Sequence, residues 1–141
     1  MSTKTDVTIH IGRAGLTTNA VIQLYTAVGW GDGTSYDHEQ IESALERTSF
    51  VVYATDQDKN LLGFARAFSD DIFYTSLAEI IVSPQYQRRG IGRALLEAVI
   101  ERYAGTAIYL EALAGREDFF LRCGFDKKGQ MTVLARRPLR S

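Results

Sequence analysis

The chain has 141 residues and a formal net charge of −1, and its 45% hydrophobic and 23% charged residues exclude disordered and low-complexity classes. One cysteine excludes an intramolecular disulfide, and the two histidines show no metal-binding spacing. No apolar run approaches the roughly 20 residues of a membrane span, and the N-terminus lacks an apolar signal core. We therefore expect a single cytoplasmic domain over residues 1–141, with no metal and no membrane partner.

The first third of the chain predicts a short strand followed by two helices. Residues 7–11 alternate apolar and polar side chains, which is typical of a strand. A helix capped by Thr17 or Thr18 ends near Gly29, and Asp37 caps a second helix.

Three strand-like runs separated by polar turns come next. They span residues 50–54, 61–68 and 73–82, and Pro84 ends the third run. A helix from about Ile91 to Ala104 follows, and it is so apolar that it must pack on the face of a sheet.

The last part of the chain predicts a strand at residues 107–110, a short helix at 116–123 and a final strand at 131–136. The element order indicates a mixed α/β fold. Its sheet is antiparallel at the front and is completed by a crossover through the helix that begins at Ile91.

The segment before that helix has the chemistry of an anion site. A buried strand ends at Val82, a polar loop follows, and Gly90 and Gly92 open the helix. The N-terminus of a helix offers unpaired N–H groups, and glycine lets an anion approach them. Three arginines add positive charge at the same place, namely Arg88, Arg89 and Arg93. These features predict a phosphate or pyrophosphate site, and the alternative is a tight turn with solvated arginines.

At these residues the sequence resembles the GNAT superfamily of acyl-CoA-dependent N-acetyltransferases. Gln87-Arg88-Arg89-Gly90-Ile91-Gly92 matches the family signature Gln/Arg-x-x-Gly-x-Gly/Ala, behind a Val-x-Pro strand end at residues 82–84. Phe119-Phe120-Leu121-Arg122-Cys123-Gly124-Phe125 resembles the family segment Phe-Tyr-x-x-x-Gly-Phe. The resemblance implies a mixed, mostly antiparallel central sheet flanked by helices.

The resemblance also implies an activity. An acetyl group moves from acetyl-CoA to a primary amine of a small molecule or peptide by direct attack, without a covalent enzyme intermediate. The pantetheine arm lies along the strand at residues 80–82, and residues 88–93 hold the pyrophosphate. The implied cofactor-binding residues are Ile80, Ile81, Val82, Gln87, Arg88, Arg89, Gly90, Ile91, Gly92, Arg93 and Phe120.

Glu79 is the candidate general base. An amine with a pKa of about 10 is protonated at neutral pH and must lose a proton before it attacks. Glu79 directly precedes Ile80, where members of the family often carry a base carboxylate. Strand alternation places it on one face with Leu77 and Ile81, an apolar setting of the kind that raises the pKa of a carboxyl group. The alternatives are a carboxylate that points to solvent or one that pairs with Arg66.

Phe120 departs from the family pattern, because it stands where the family often has a tyrosine that acts as general acid. A phenyl ring donates no proton, so another group or water does so, or the thiolate leaves unassisted. Phe120 is therefore expected to pack against the cofactor arm or the core. The departure also leaves open a non-catalytic, acyl-CoA-binding regulatory module.

Trp30 and Tyr36 are candidate acceptor-binding residues, because this region often lines the acceptor site in the family. With Asp32 and Asp37 they would form an aromatic and acidic wall for a cationic amine. The alternative is that Trp30 fills the edge of the core.

Five other residues are assigned no chemistry. Cys123 is expected to be a small core residue, His10 to be structural and His38 to be solvated, while Asp70 and Asp71 belong to a turn.

Charge is distributed unevenly along the chain. Residues 1–31 carry a net charge of +1, residues 32–79 carry −7 and residues 80–141 carry +5. The ten acidic residues in the middle segment argue against a nucleic-acid partner. The sequence leaves a homodimer open.

Overall fold

The computed structural model describes residues 6–32 and 34–139. Contacts divide the chain into two compact units, Met1–Leu110 and Glu111–Ser141. The strands are β1 (Thr8–Ile11), β2 (Phe50–Thr55), β3 (Leu61–Ser69), β4 (Tyr74–Val82) and β5 (Ala107–Tyr109). The α-helices are α1 (Thr18–Ala27), α2 (His38–Glu46), α3 (Ile91–Arg102) and α4 (Glu117–Arg122).

The five strands form one sheet in the order β1-β2-β3-β4-β5. Neighbouring strands are antiparallel except β4 and β5, which are parallel. A parallel pair needs a crossover connection, and α3 supplies it. The predicted mixed, mostly antiparallel sheet with a crossover through α3 is confirmed.

The predicted helix caps are also confirmed. The Thr17 side chain accepts a hydrogen bond from the N–H of Ala20, and the Asp37 carboxylate accepts from the N–H groups of Glu39 and Gln40. Each cap satisfies N–H groups that the first turn of a helix leaves without partners.

One face of the sheet packs against α1 and α2. The shared core on this side contains buried apolar residues from both helices and from the sheet, namely Leu16, Val21, Leu24, Tyr25, Leu45, Val51, Tyr53, Phe64 and Ile81. Val51, Tyr53 and their cross-strand neighbours follow the two-residue alternation that places every second side chain on one face.

The opposite face packs against α3, which contacts β2, β3 and β4. Phe50, which alternates with Val51, meets Tyr103 at the end of α3 with ring centroids 5.7 Å apart. Leu95, Leu96 and the rest of the inward side of α3 are fully buried. Burial of this stripe explains why the helix is so apolar.

The pairing of β3 with β4 contains a β-bulge. Arg66 is paired with Glu79, but the next residue, Ala67, is paired with Leu77, so Ala78 is an extra residue in β4. The expectation that Glu79 shares a face with Leu77 is therefore wrong. Leu77 lies opposite Ala67, on the α3 face, because the bulge shifts the alternation by one residue. Ile81 does share the face of Glu79.

In the unit Glu111–Ser141, α4 matches the predicted helix, but the predicted strand at residues 131–136 is absent from the described residues. Val133 and Leu134 are well exposed there. The alternating apolar pattern fits a strand, but a strand also needs a hydrogen-bonded partner, and none pairs with this segment within the described part of the chain.

Candidate functional site

The loop between β4 and α3 presents the start of a helix with free space around it. Gly90 is the N-cap of α3, with a φ of 85°. A Cβ built on Gly90 has no atom within 4 Å. Among the described residues, no side chain forms a capping hydrogen bond at the start of this helix. Gly90 is required here because the left-handed conformation disfavours residues with a Cβ.

The residues before Gly90 hold the loop in a defined shape. The Gln87 side-chain amide donates a hydrogen bond to the carbonyl of Val82 over 3.0 Å, which ties the loop to the end of β4. The guanidinium of Arg89 lies 5.3 Å from the centre of the Tyr86 ring. Arg88 adopts a φ of 66°, which is unfavourable for a residue other than glycine. Such strain often occurs at functional sites.

Arg93 lies in the first turn of α3 and forms an ion pair with Glu97, with Nε and Oε1 2.9 Å apart. Its guanidinium group adds positive charge beside the loop, and the Glu97 carboxylate offsets part of that charge. The loop and the first turn of α3 therefore combine uncapped N–H groups with exposed guanidinium groups, an arrangement that binds phosphate.

The second half of β4 has one open edge. Pairing with β5 covers only Tyr74 to Ser76 and ends at the pair Ser76–Tyr109. From Leu77 to Val82, β4 pairs with β3 on one side and with no strand of the described residues on the other. Six residues of strand span about 20 Å. An extended ligand arm can therefore pair with this edge, which leads directly into the Gly90 loop.

Glu79 lies on this half of β4 with its side chain only 12% exposed. Its Oε1 atom accepts a hydrogen bond from Arg66 Nε over 2.9 Å and a second from the hydroxyl of Tyr25. The pairing with Arg66, one of the alternatives that the sequence leaves open, is present. The surroundings of the carboxylate are therefore polar on the side of Oε1 rather than apolar.

Tyr25 is the centre of an aromatic cluster on the same face. Its ring lies 5.6 Å from Trp30, 5.2 Å from Tyr36 and 5.9 Å from Phe64, measured between centroids. The Tyr36 hydroxyl donates to the carbonyl of Trp30. Burial, followed by the negative charge of Glu79, raises the pKa of Tyr25 well above its ordinary value. Tyr25 therefore connects Trp30 and Tyr36 to Glu79, and Tyr25 is not among the predicted site residues.

A signal for Tyr25 is nevertheless present in the sequence. The residue lies on the buried stripe of α1 with Val21 and Leu24, and a buried tyrosine usually finds a partner for its hydroxyl group. The identity of that partner depends on which strand lies beneath the helix, and that information comes only from the fold.

The two aspartates expected in the wall are engaged locally. The Asp32 carboxylate accepts from the N–H and hydroxyl groups of Thr34, and these bonds hold the pKa of Asp32 below its ordinary value. Asp37 caps α2. The negative charge beside the aromatic cluster is instead that of Glu79.

The residues outside the site behave largely as expected. His10 Nε2 lies 2.8 Å from the Thr55 hydroxyl, and its ring stacks on Tyr53 with centroids 4.6 Å apart. His38 is exposed at the start of α2. The Asp70 carboxylate accepts three backbone N–H bonds within the turn before β4.

Metal clusters and membrane-spanning helices are both absent from the described part of the chain. Residues 6–32 and 34–139 contain no group of three or more histidine, cysteine, aspartate or glutamate residues placed to hold a metal ion. Within the same ranges, every helix is too short or too polar to cross a membrane.

Comparison with known proteins identifies the family. A sequence model described as the acetyltransferase (GNAT) family matches residues 18–125, which include the Gly90 loop, β4 and α4. The chain belongs to the GNAT acetyltransferase family.

Relatives and solved structures agree with this assignment. The chain is 39% identical over 74 residues to GCN5-related N-acetyltransferase 2, chloroplastic, of Arabidopsis thaliana, covering 50% of the chain and 28% of that protein. It is 27% identical over 111 residues to an uncharacterized N-acetyltransferase of Pyropia yezoensis, covering 74% of the chain and 62% of the relative. The chain thus spans less than two thirds of each of these relatives.

A GNAT-family acetyltransferase structure from Streptococcus pneumoniae superposes with a TM-score of 0.76 at 24% identity, covering 96% of the chain and 98% of that structure. At this identity the likeness establishes the GNAT fold and leaves the acceptor open.

In this GNAT chain, Phe120 belongs to an aromatic group within the second unit. Its ring lies 5.0 Å from Phe119 and 6.1 Å from Phe125, between centroids. Cys123 is half-buried and has a free thiol. Packing among phenyl rings accounts for Phe120 without a catalytic role.

Proposed function

We propose that the chain is an acetyl-CoA-dependent N-acetyltransferase that modifies a primary amine of a small molecule or peptide. One observation carries the proposal: the open edge of β4 contains Glu79 and continues directly into the uncapped N-terminus of α3 at Gly90. A carboxylate, an extended edge and an anion site therefore lie in sequence along one strand and the loop that follows it.

The residues present fit the donor. The space around Gly90 leaves room for a phosphate against the N–H groups of the first turn, and Arg88, Arg89 and Arg93 supply compensating charge. The outward backbone groups of Ile80 to Val82 are available to the amides of the pantetheine arm. Gln87 holds the end of the strand against the loop, so that both parts of the site keep their spacing.

The donor supplies an activated acetyl thioester, whose C–S bond breaks as the amine nitrogen forms a new C–N bond. The chain has to orient the amine, take up its proton and exclude competing water. No residue needs to carry the acetyl group, so Cys123 has no part in the transfer.

Glu79 is proposed as the group that takes the proton. Its Oε1 is occupied by Tyr25 and Arg66, whereas its Oε2 accepts no hydrogen bond from the described residues. One proton of the bound ammonium therefore passes from nitrogen to Oε2, either directly or through one water molecule, and the neutral amine then attacks the thioester. The same carboxylate attracts a cationic acceptor before the reaction.

Trp30 and Tyr36 are proposed to contact the acceptor. The Trp30 side chain is 41% exposed although its ring stacks on Tyr25, so one part of it remains available to a ligand. Aromatic faces attract cations, and the carboxylate of Glu79 on the same face adds negative charge.

The proposal is tested by a panel of amines incubated with acetyl-CoA, with free CoA release and product mass as readouts. We expect turnover with at least one cationic primary amine. Tight binding of acetyl-CoA without turnover across the panel would instead favour the regulatory module. Turnover that depends on Cys123, with an acetylated cysteine detected by mass spectrometry, would contradict direct transfer.

Location and assembly stay predictions. A cytoplasmic location and a homodimer rest on the sequence alone, and the Arabidopsis relative is named as chloroplastic. Fluorescence imaging of the tagged chain and sedimentation of the purified chain would test them.

A further inference from the structure

We propose that Tyr25 is a positioning residue for the reaction: its hydroxyl holds Oε1 of Glu79 so that Oε2 faces the acceptor amine. This inference rests on the proposed function, because it assigns a role within the same site. It adds a residue on α1 to a site otherwise built from β4 and the Gly90 loop.

Two hydrogen-bond donors meet at Oε1 of Glu79. Tyr25 reaches this oxygen from α1 and Arg66 reaches it from β3, across the strand pair. Two donors from separate elements restrict rotation of a carboxylate more than one donor does. Because both bonds use the same oxygen, they leave Oε2 as the atom that can accept a proton.

Tyr25 is itself held rigidly. It is buried, and it packs against Trp30, Tyr36 and Phe64. A site group is best oriented by a residue whose own side chain is fixed by packing. The Arg66 side chain is more exposed, at 23%, and its guanidinium divides its contacts among Glu79, the Phe68 ring and the Thr48 hydroxyl.

The hydroxyl of Tyr25 acts as a hydrogen-bond donor and not as an acid. Burial and the neighbouring Glu79 raise its pKa, so the O–H bond stays intact across the working pH range. The protons of the step balance as follows: the ammonium loses one proton to Oε2 before attack, the nitrogen loses a second as the amide forms, which solvent passes to the departing thiolate, and Tyr25 keeps its own.

The test uses Tyr25→Phe, which keeps the ring and its packing and removes only the hydroxyl. We expect kcat/KM for the amine to fall about tenfold, the equivalent of one lost hydrogen bond, while KM for acetyl-CoA stays unchanged. The acidic limb of the pH profile moves to higher pH, because the carboxylate loses a donor that favours its ionised form. Tyr25 from α1 and Arg66 from β3 are the ionisable groups that the described residues bring to this carboxylate.

Tyr53→Phe is the matched control. It removes another core hydroxyl, which donates to the carbonyl of Ala14, away from Glu79. We expect it to lower the melting temperature without moving the pH profile. If Tyr25→Phe changes only the melting temperature, as the control does, the positioning role is wrong.

A double-mutant cycle shows whether Tyr25 acts through Glu79. We expect Tyr25→Phe to have little further effect on kcat/KM in the Glu79→Gln background. An equal loss in both backgrounds would overturn the inference while leaving the acetyltransferase proposal intact. A parent protein that is inactive on every amine would instead refute the proposed function, so the two failures are distinguishable.

A proton NMR spectrum does not require Tyr25→Phe to fold. The Tyr25 hydroxyl donates to a carboxylate oxygen, and hydrogen bonds to an ionised acceptor are stronger than those to a neutral one. We expect one downfield hydroxyl signal in the parent that moves upfield or disappears in Glu79→Gln. Identical spectra would show that the two side chains are not in contact, and the inference would be wrong.

Discussion

Arg66 and Glu79 face each other across β3 and β4 as the last regularly paired residues before the bulge, with Nε and Oε1 2.9 Å apart. Their side chains are 23% and 12% exposed, so neither charge is fully hydrated. Removing one partner leaves the other partly buried without its counter-charge, which is costly. The pairing of β3 with β4 therefore holds the Arg66 guanidinium against the Glu79 carboxylate and balances its charge.

Glu79→Gln should lower kcat/KM for the amine at neutral pH by about 10²-fold or more, the usual scale for loss of a general base. Affinity for acetyl-CoA should be kept, because the substitution changes charge but little shape. The defect should shrink as pH rises, since more of the amine is then already neutral. Steady-state kinetics from pH 6 to 9 and calorimetry measure both effects.

Glu42→Gln serves as the control for this variant. Glu42 pairs with Arg13 over 2.7 Å and accepts from Thr18, so its loss removes a structural carboxylate outside the site. Its kinetics should match the parent. A Glu79→Gln defect confined to KM and independent of pH would identify Glu79 as an ammonium-binding group rather than a base.

Gly90→Ala should weaken acetyl-CoA binding about tenfold or more, because a methyl group enters the space where a phosphate must reach the N–H groups of α3. Gly12→Ala is the matched control: Gly12 has a φ of 91° and, like Gly90, no atom within 4 Å of a built Cβ. Each variant should lose about 1 kcal/mol of stability from the left-handed backbone. Equal affinities by calorimetry would show that the anion site lies elsewhere.

Cys123→Ala should keep kcat within a few-fold of the parent, because direct transfer needs no nucleophilic thiol. The half-buried site should lose about 1 kcal/mol of folding stability through a small cavity. Chemical denaturation and steady-state kinetics together measure the two effects. A large loss of kcat with unchanged stability would require a role for the thiol.

Asp70→Ala should destabilise the protein at neutral pH and have less effect in acid. Backbone N–H groups of Tyr74, Ile72 and Phe73 hold the pKa of Asp70 below its ordinary 3.8. A lowered pKa contributes stability that is complete above the unfolded-state value and is lost as pH falls. The difference in unfolding free energy between parent and variant should therefore shrink below about pH 4.

Asp58→Ala is the comparison for Asp70→Ala. It removes an exposed carboxylate from the turn between β2 and β3, where Asp56 supplies the acceptor oxygens. Urea unfolding at pH 7 and pH 3 should show the stronger pH dependence for Asp70→Ala. The same dependence in both variants would indicate general charge effects instead of the turn.

Much of the fold follows from local patterns. The caps at Thr17 and Asp37, the turns between strands and the apolar α3 each have a physical signature within a few residues, and all appear in the structure. The strand predicted at residues 131–136 is absent because pairing depends on a distant partner that no local pattern specifies.

The site was predictable where backbone conformation defines it and less so where side chains from distant elements meet. The uncapped helix start at Gly90 follows from the sequence, because a glycine opens the helix there, and the anion site proposed at it stays a prediction. The contact of Tyr25 with Glu79 joins residues 54 positions apart and depends on how α1 lies on the sheet. The bulge at Ala78 leaves no composition signal, so alternation misplaced Leu77.

Ala78 has no partner on β3 in the pairing of the two strands. Without it, Leu77 and Glu79 would still lie opposite Ala67 and Arg66 and would keep their present faces. What the extra residue adds is a local bend and a stronger twist, close to the point where β5 stops following β4. A chain shortened by this one residue would keep its register with β3 and would lose the local bend. The residues that pair β4 with β3 and the residue that bends the strand are therefore different, and each can be altered without the other.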